Sequence, residues 1–344
     1  MAINLEIIIR VFLSFALSIV CSSLINKAII KREKSKHMGQ AIRDDIVKTH
    51  LKKSGTPTMG GVGIVISIIL VSLLNYSFLT YQDYICLGLM LSFFLIGVFD
   101  DYLKMKYHNA KGLSSSLRFT LEIMLTLVAL VLLGYEQKSM WILHLFTNYI
   151  YLGPLFIVLI VFMIVGSANA VNMSDGLDGL AGGLVILCYL PFLLIALKDK
   201  NYGAAILISS AIGGNIGFLI HNGHPAKIFM GDAGSLSNGA LIALLAFLLN
   251  REYLLVVAGG VFIIETLSVI IQVGYFKLTH KRIFKMAPLH HHFEMLGLKE
   301  YQVVNLFYLL GFICAFLAII LGGVLWKKYW YLDMELQGKL HIIF

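Results

Sequence analysis

The stretch PLFIVLIVFMIVGSANAVNMSDGLDGLAGGLVILCYLPFLLIAL, residues 154–197, has a polar break between two apolar segments. Each apolar segment is about 18 residues long, which is enough for a helix to cross a bilayer. The break, residues 169–183, carries two carboxylates, two carboxamides and four glycines. Because such polar groups cost free energy next to hydrocarbon, the break is a functional-site hypothesis from the outset.

The rest of the chain is equally apolar. Hydrophobic residues make up 59% of the 344 residues and charged residues only 13%, which is far outside the range of soluble globular domains. The composition predicts an all-α, polytopic integral membrane protein whose residues 1–344 form a single domain. Ten transmembrane helices are predicted, over residues 5–25, 60–79, 84–99, 117–134, 154–171, 180–197, 203–220, 236–249, 253–275 and 303–326.

The positive charges predict how these helices are oriented. An even number of spans puts both termini on the same side of the membrane, and the connections then fall into two sets. One set carries nineteen Lys and Arg residues and the other seven. Because Lys and Arg are enriched in cytoplasmic loops, the first set is predicted to be cytoplasmic and both termini extracytoplasmic. Topology and anionic headgroups then explain the net charge of +8, and no pattern for nucleic-acid binding is present.

Two segments outside the spans are not assigned to catalysis. Residues 135–153 contain Trp141, Tyr149 and alternating apolar positions before Gly153, which suggests a short hairpin at the external membrane interface. This hairpin carries no converging polar groups and is assigned a structural role. The tail 331–344 has a mixed composition, and no function is assigned to it.

Five aspartates fall at or just beyond helix ends on the predicted cytoplasmic side. A transporter would be expected to place ionisable residues near the middle of the bilayer, and an intramembrane protease would need two aspartates facing each other within it. The pattern instead predicts a polar site at the cytoplasmic membrane surface. These aspartates are Asp100, Asp101, Asp175, Asp178 and Asp232.

The adjacent pair Asp100 and Asp101 ends the third span. Two neighbouring carboxylates repel each other unless a cation or a proton compensates them, so the pair suits Mg²⁺ or a general base. A solvated helix end is the alternative. Asp232 precedes a helix that is expected to begin near Ser235, where the carboxylate would either cap that helix or bind a metal ion.

Asp175 and Asp178 lie three positions apart and share a face if their segment is helical, with Asn172 three positions earlier. Gly176 and the neighbouring glycines leave room for a ligand or a second helix to approach closely. The alternative is an Asx-rich turn whose aspartates cap a helix.

Two loops on the same side carry groups that can bind phosphate. Histidine can bind phosphate as a cation or donor, although His290, His291 and His292 are consecutive and cannot all point one way, which makes them a poor metal cage. Chance placement on the surface is the alternative. Lys53 and Thr58 lie beside flexible glycines in a segment that suits phosphate binding without matching a P-loop; a basic loop that only sets topology is the alternative.

Five polar motifs on one side, rich in Asp for Mg²⁺ and in Lys and His for phosphate, indicate phosphoryl transfer at the membrane surface. Hydrolysis of a lipid phosphate fits almost as well on the residues alone.

The same motifs closely resemble one family. They are Lys53-x-Gly-Thr-Pro-Thr-Met-Gly-Gly61, Asp100-Asp101, Asn169-Ala-Val-Asn-x-x-Asp-Gly-Leu-Asp-Gly-Leu-Ala181, Phe229-Met-Gly-Asp232 and Ala287-Pro-Leu-His-His-His-Phe-Glu294. In this order they are similar to the phospho-N-acetylmuramoyl-pentapeptide transferases, a branch of the polyprenyl-phosphate N-acetylhexosamine-1-phosphate transferases. The histidine run favours the muramoyl-pentapeptide branch over the branch that transfers N-acetylglucosamine phosphate. A transporter of an anionic lipid or sugar is the alternative from another class.

The resemblance implies transfer of phospho-MurNAc-pentapeptide from UDP-MurNAc-pentapeptide to undecaprenyl phosphate. The products would be lipid I and UMP, in the first membrane step of peptidoglycan synthesis. It also implies ten membrane helices, an active site facing the cytoplasm, a requirement for Mg²⁺, a homodimer, and a place in the bacterial cytoplasmic membrane.

The resemblance also implies roles for individual residues. Asp232 would be the principal Mg²⁺ ligand, with Asp175 as a second, and Asp100 or Asp101 would deprotonate the lipid phosphate or attack as a nucleophile. Residues expected to hold phosphate are Lys53, Thr58, Asn172, Asn222 and the histidines, His290 foremost. The uridine pocket would be formed by Gly176, Leu177, Asp178 and Phe229, and further substrate contacts are assigned to Lys104, Lys111 and Gln272.

Overall fold

The computed structural model describes residues 5–36, 55–107, 112–134, 142–145 and 148–324. Two predicted site residues, Lys53 and Lys111, lie outside the described residues, as does the tail 331–344. Within these ranges the chain forms twelve α-helices and one two-stranded sheet. They are α1 (Leu5–Lys36), α2 (Gly61–Leu74), α3 (Tyr81–Lys106), α4 (Ser115–Gly134), β1 (Ile142–Leu145), β2 (Asn148–Tyr151), α5 (Leu155–Met173), α6 (Leu180–Lys198), α7 (Tyr202–Asn222), α8 (Gly231–Leu248), α9 (Glu252–Ala258), α10 (Gly260–Thr279), α11 (Leu289–Met295) and α12 (Glu300–Leu321).

Nine of the described helices are long and apolar enough to cross a membrane, and α2, with 14 residues, is a shorter apolar helix. The number, length and composition of these helices therefore confirm the prediction of an all-α, multi-pass membrane protein. Every predicted span corresponds to helical structure. One prediction was wrong: the ninth span, residues 253–275, was expected to be one continuous helix, but it is divided into α9 and α10.

The division falls at Gly259 and Gly260. Glycine disfavours the interior of a helix because it loses more backbone freedom than other residues. Gly260 also faces α12 closely, since a Cβ atom built on it would lie 3.0 Å from Sγ of Cys314. The sequence pattern contained both glycines, but the apolar residues on either side made the span look continuous.

Two helices lie at the centre of the bundle. In each helix we compare the 18 consecutive residues that are most apolar. Of these residues, 94% are buried in α8 and 83% in α7, against 22% in α1. The helix α8 packs against α2, α3 and α5, while α7 packs against α1, α2 and α6. The outer helices expose Leu, Ile, Val and Phe side chains, as expected of surfaces that face lipid. Polar groups carried by α8 are therefore enclosed by protein rather than by hydrocarbon.

The sheet lies within the segment that was predicted to form a hairpin. Its antiparallel register pairs Ile142 with Tyr151 and Leu145 with Asn148. Two four-residue strands form only a marginal sheet on their own. The location of this hairpin at the external interface stays a prediction.

A glycine on α3 allows this helix to approach the first turn of α8. A Cβ atom at Gly97 would overlap the backbone of Asp232 and Ala233. The aspartates of α3 lie one turn further along, at Asp100 and Asp101, and both are at most 2% exposed. The close approach therefore delivers these carboxylates to the N-terminus of α8.

Candidate active site

The centre of the site is the N-terminus of α8. The helix was expected to begin near Ser235, but it begins at Gly231, which places Asp232 in the first turn. The N-cap residue, Met230, makes no capping hydrogen bond with its side chain. The cap comes from α3 instead: the backbone N–H groups of Asp232 and Ala233 donate to the carboxylate of Asp101, each over 3.2 Å. Asp101 thus caps α8 in the structure. The carboxylate of Asp232 is not needed for the cap and remains available for other contacts.

A second carboxylate binds the same helix end. Asp175, in the turn between α5 and α6, accepts a hydrogen bond from the backbone N–H of Gly231. Burial raises the pKa of Asp175 to about 7, and the nearby charge of Asp232 adds to the shift. The positive end of the α8 dipole favours negative charge here. Asp175 therefore lies where it can hold a proton or a cation near neutral pH.

Gly231 makes this arrangement possible, because its φ of 73° lies in the left-handed region. A side chain there costs about 1–2 kcal/mol, and a Cβ atom would overlap the carboxylate of Asp101. We expect Gly231→Ala to lower enzymatic activity at least about 10²-fold, since geometry errors near 1 Å have effects of this size. Activity and melting temperature in detergent would be measured beside Gly274→Ala, where no atom approaches within 4 Å. An active Gly231→Ala protein would contradict this account.

Asp232 is surrounded by donors. Its Oδ2 atom lies 3.0 Å from Nζ of Lys104 and 3.0 Å from a guanidinium nitrogen of Arg118, while Oδ1 accepts from Nδ2 of Asn172 over 2.8 Å. Asn172 also donates to Oγ of Ser235 over 2.8 Å. Ionised contacts of this kind are about twice as strong as neutral hydrogen bonds. Asp232 is therefore held by residues of three other helices.

Asp100 completes the cluster. Its Oδ2 atom lies 2.6 Å from Nζ of Lys104, and Oδ1 accepts from the backbone N–H of Leu113 over 2.6 Å. One carboxylate oxygen from each of Asp100, Asp101 and Asp232 lies within 4.8 Å of the others. Oxygen atoms are the ligands that Mg²⁺ prefers, and close carboxylates need a cation to compensate them. The residues present therefore fit a divalent metal ion.

Three polar residues around the cluster were missed as site residues from the sequence. Arg118 joins Asp232 to Oδ1 of Asn169 over 3.3 Å, and Asn169 donates over 2.6 Å to Oε2 of Glu122, which is fully buried. A signal existed, since Glu122 is a carboxylate inside a predicted span and such residues are functional candidates. Arg118, at the start of α4, had been counted only as a charge that sets topology.

The Thr58 loop lies beside α8. The backbone N–H of Phe229 donates to the carbonyl of Pro57 over 2.8 Å, and Gly60 donates in return to the carbonyl of Phe229 over 2.8 Å. Thr58 is 2% exposed, and its hydroxyl has no hydrogen-bond partner among the described residues. On the other side, the N–H of Thr58 donates to Glu33 of α1 over 3.1 Å. The loop is therefore held by the segment before α8 on one side and by α1 on the other. The Thr58 hydroxyl, in the middle of the loop, is available to a ligand.

The predicted uridine residues lie beside Asn222, which was assigned to phosphate, and several polar atoms of this region already have protein partners. Asn222 accepts from the N–H of Gly179 over 2.9 Å and donates to the carbonyl of Ile228 over 2.8 Å. Oδ2 of Asp178 accepts from the N–H of Ala226 over 3.0 Å. The side chain of Leu177 is buried. Asn222 thus joins the turn of Asp178 to the loop of Phe229, and the roles assigned to these residues stay predictions.

The three histidines point to three different partners, as their consecutive positions predicted. Nδ1 of His290 lies 2.9 Å from Glu265, and Nδ1 of His291 lies 2.8 Å from Glu294. Nδ1 of His292 accepts from the backbone N–H of Lys285 over 3.1 Å. His290 lies against the Asp175 turn, because a Cβ atom on Gly176 would overlap its Nε2 atom.

Gln272 binds the backbone of Phe284, whose ring centroid lies 5.7 Å from that of His292. Its Oε1 atom accepts from the backbone N–H groups of Ile283 and Phe284, and its Nε2 atom donates to the carbonyl of Phe284. The amide therefore shapes the loop before α11. Its assignment to substrate contact stays a prediction.

The described parts of all five motifs thus converge around one end of α8. Comparison with known proteins identifies the family: residues 84–250 match the family model of glycosyl transferase family 4. The phospho-N-acetylmuramoyl-pentapeptide-transferases of Bacillus thuringiensis (strain Al Hakam) and Bacillus cereus (strain AH187) are each 43% identical to this chain over 296 residues, covering 83% of this chain and 89% of theirs. The chain therefore belongs to the phospho-N-acetylmuramoyl-pentapeptide transferase family, as its motifs predicted.

Proposed function

We propose that the protein transfers phospho-MurNAc-pentapeptide from UDP-MurNAc-pentapeptide to undecaprenyl phosphate, releasing UMP and forming lipid I. The observation that carries this proposal is the convergence of three carboxylates and two cations at the N-terminus of α8. The Thr58 hydroxyl lies beside them and has no hydrogen-bond partner within the described part of the chain. Two anionic phosphates must meet in such a reaction, and their repulsion has to be neutralised at the point of contact.

The reaction forms one phosphorus–oxygen bond and breaks another. An oxygen of the lipid phosphate attacks the phosphorus atom that carries MurNAc, and the bond from this phosphorus to the oxygen of UMP breaks. Lys104 and Arg118, both beside Asp232, would bind the pyrophosphate oxygens and the departing UMP. Most of the rate in phosphoryl transfer comes from such positioning and charge neutralisation.

We assign the divalent cation as Mg²⁺, which Asp232 would hold, with Asp100 and Asp175 beside it. When bound, Mg²⁺ would supply positive charge to the pyrophosphate and to the leaving UMP. The carboxylates outnumber the cations around Asp232, which supports binding of a divalent ion at this position.

Asp100 is the better candidate for removing the proton of the lipid phosphate. Both oxygens of Asp101 accept hydrogen bonds from backbone N–H groups of α8. If Asp101 took up the proton, these hydrogen bonds would be lost and the helix would be uncapped. Asp100 has one cationic partner, Lys104, which can turn instead to a phosphate. A single displacement, in which Asp100 takes the proton and the lipid phosphate attacks, needs no uncapping of α8.

The site is proposed to face the cytoplasm, where nucleotide sugars are made, with both termini outside. The charge asymmetry of the loops supports this orientation. The protein would then be a multi-pass protein of the bacterial cytoplasmic membrane that forms one domain over residues 1–344. The homodimer expected from the family resemblance stays a prediction.

Phe229 is proposed to stack on uracil. Its ring is half-buried, and its backbone is held by Pro57 and Gly60. We expect Phe229→Ala to weaken UMP binding about 10-fold, because stacking of a base on an aromatic ring is worth about 1–3 kcal/mol. Calorimetry would compare it with Phe162→Ala, a change on the exposed surface of α5. If both variants bind UMP as the unmodified protein does, Phe229 does not stack on the base.

Purified protein in detergent, given UDP-MurNAc-pentapeptide, undecaprenyl phosphate and Mg²⁺, tests the function directly. We expect release of UMP and formation of a MurNAc-pentapeptide lipid, loss of both with EDTA, and recovery on adding Mg²⁺. Turnover of UDP-GlcNAc in place of UDP-MurNAc-pentapeptide would assign the protein to the related GlcNAc-phosphate transferases. No UMP from either nucleotide sugar would contradict a transferase and favour a transporter.

A further inference from the structure

A buried carboxylate on α10 binds His290 at two points. Oε2 of Glu265 lies 2.9 Å from Nδ1 of His290, and Oε1 accepts the backbone N–H of His290 over 3.1 Å. Both residues are completely buried. Two contacts from one carboxylate fix both the backbone of α11 at this position and the orientation of the imidazole ring.

With Glu265 ionised, these contacts assign the proton of the neutral ring to one nitrogen. The backbone N–H is a donor, so Oε1 must accept, and an ionised carboxylate is an acceptor at Oε2 as well. Nδ1 of His290 is then the protonated nitrogen that donates to Glu265. In a neutral ring, Nε2 carries the lone pair, and a proton gained by the ring is placed on Nε2.

The Nε2 atom has no hydrogen-bond partner among the described residues, although it is buried. It lies against Gly176, where a Cβ atom would overlap it. Gly176 follows Asp175, whose carboxylate binds the first N–H of α8. An unpartnered buried nitrogen costs about 1–3 kcal/mol, so a ligand atom at this position is favoured.

We propose that Glu265 is a positioning residue that holds His290 as the Nδ1–H tautomer, so that the lone pair of Nε2 accepts a hydrogen bond from a proton-bearing oxygen of the substrate. The identity of this ligand rests on the proposed function, whereas the tautomer does not. Glu265 lies in the middle of a predicted apolar span, and its role follows only from its contact with α11.

The substitution Glu265→Gln tests the tautomer sharply. His290 presents two donors to this side chain, the backbone N–H and Nδ1–H, and a carboxylate accepts both. A glutamine amide offers one acceptor and one donor. If its oxygen accepts the backbone N–H, its NH₂ group faces Nδ1, and the proton must move to Nε2.

Long-range ¹H–¹⁵N spectra of protein labelled with ¹⁵N-histidine distinguish the two tautomers, and His290→Asn assigns the signals. We expect Nδ1–H in the unmodified protein and a shift toward Nε2–H in Glu265→Gln. Addition of UMP with Mg²⁺ should move the Nε2 signal in the unmodified protein only. An Nε2–H tautomer in the unmodified protein, or unchanged signals in Glu265→Gln, would overturn the proposal.

Kinetics provide the second readout. We expect Glu265→Gln to lower kcat about 10- to 100-fold, the range found for carboxylates that orient a histidine, with less than about a threefold change in KM. In protein that already carries His290→Asn, adding Glu265→Gln should lower kcat by less than about twofold, because the two residues act as a unit.

The matched control is Glu252→Gln. Glu252 is 2% exposed and begins α9, which follows the opposite end of α8, so its change should leave kcat within about twofold. Full additivity of Glu265→Gln and His290→Asn would contradict the positioning role. An unmodified protein that makes no UMP but shows the Nδ1–H tautomer would refute the proposed function and leave the positioning by Glu265 intact.

Discussion

Asp232→Asn is expected to reduce UMP release by about 10³-fold or more while the protein stays folded. Loss of a single stabilising group at a reacting centre costs about 10²–10³-fold, and here a proposed metal ligand is lost as well. The amide has nearly the same shape as the carboxylate. It removes the charge that Lys104 and Arg118 share at Oδ2, and it turns either an oxygen or an NH₂ group toward those cations.

The measurement is UMP release over a range of Mg²⁺ concentrations, together with the melting temperature in detergent. The control is Asp199→Asn, which removes an aspartate paired with Arg251 over 3.3 Å at the opposite end of the bundle. This partly exposed pair contributes little, so activity should be unchanged. Asp232→Asn that keeps a tenth of the activity, or that saturates at the same Mg²⁺ concentration, would remove Asp232 as a metal ligand.

The second large effect concerns the adjacent pair, where Asp100→Asn and Asp101→Asn are expected to differ in kind. Asp100→Asn should lower transfer about 10²–10⁴-fold, the range for a lost general base, with little change in stability. Asp101→Asn should lower both activity and stability. Its single amide oxygen cannot serve both N–H groups of α8 as a carboxylate does, and an unsatisfied buried group costs about 1–3 kcal/mol.

Thermal melting and single-turnover transfer, measured on both variants at the same detergent concentration, separate these outcomes. A lower melting temperature for Asp101→Asn alone supports its assignment as the cap of α8. If Asp100→Asn is instead the less stable variant and Asp101→Asn loses only activity, the two assignments must be exchanged. If both variants keep the melting temperature and the activity of the unmodified protein, neither residue takes part in the mechanism.

The residue types of the site were predictable because the reaction limits them. Carboxylates near a membrane surface, with lysine, histidine and glycine beside them, are expensive features that an apolar chain does not carry without a function. The motif order also predicted the family, which the comparison with the Bacillus relatives confirms. What each carboxylate does was less accessible: Asp101 had been paired with Asp100 as a reactive group, and the residues alone left Asp232 as either a helix cap or a metal ligand.

The sequence by itself determined the all-α membrane architecture, the approximate spans and the motifs whose described parts converge, because hydrophobic length and local residue type act over a few turns of chain. The tertiary structure alone decided where α8 begins, since its cap is Asp101, 131 positions earlier than the N–H of Asp232 that it accepts. It likewise brought Arg118 to Asp232 and Glu265 to His290. Hydrogen bonds and ion pairs between distant helices leave no periodic pattern in a sequence, so these roles follow only from the packed fold.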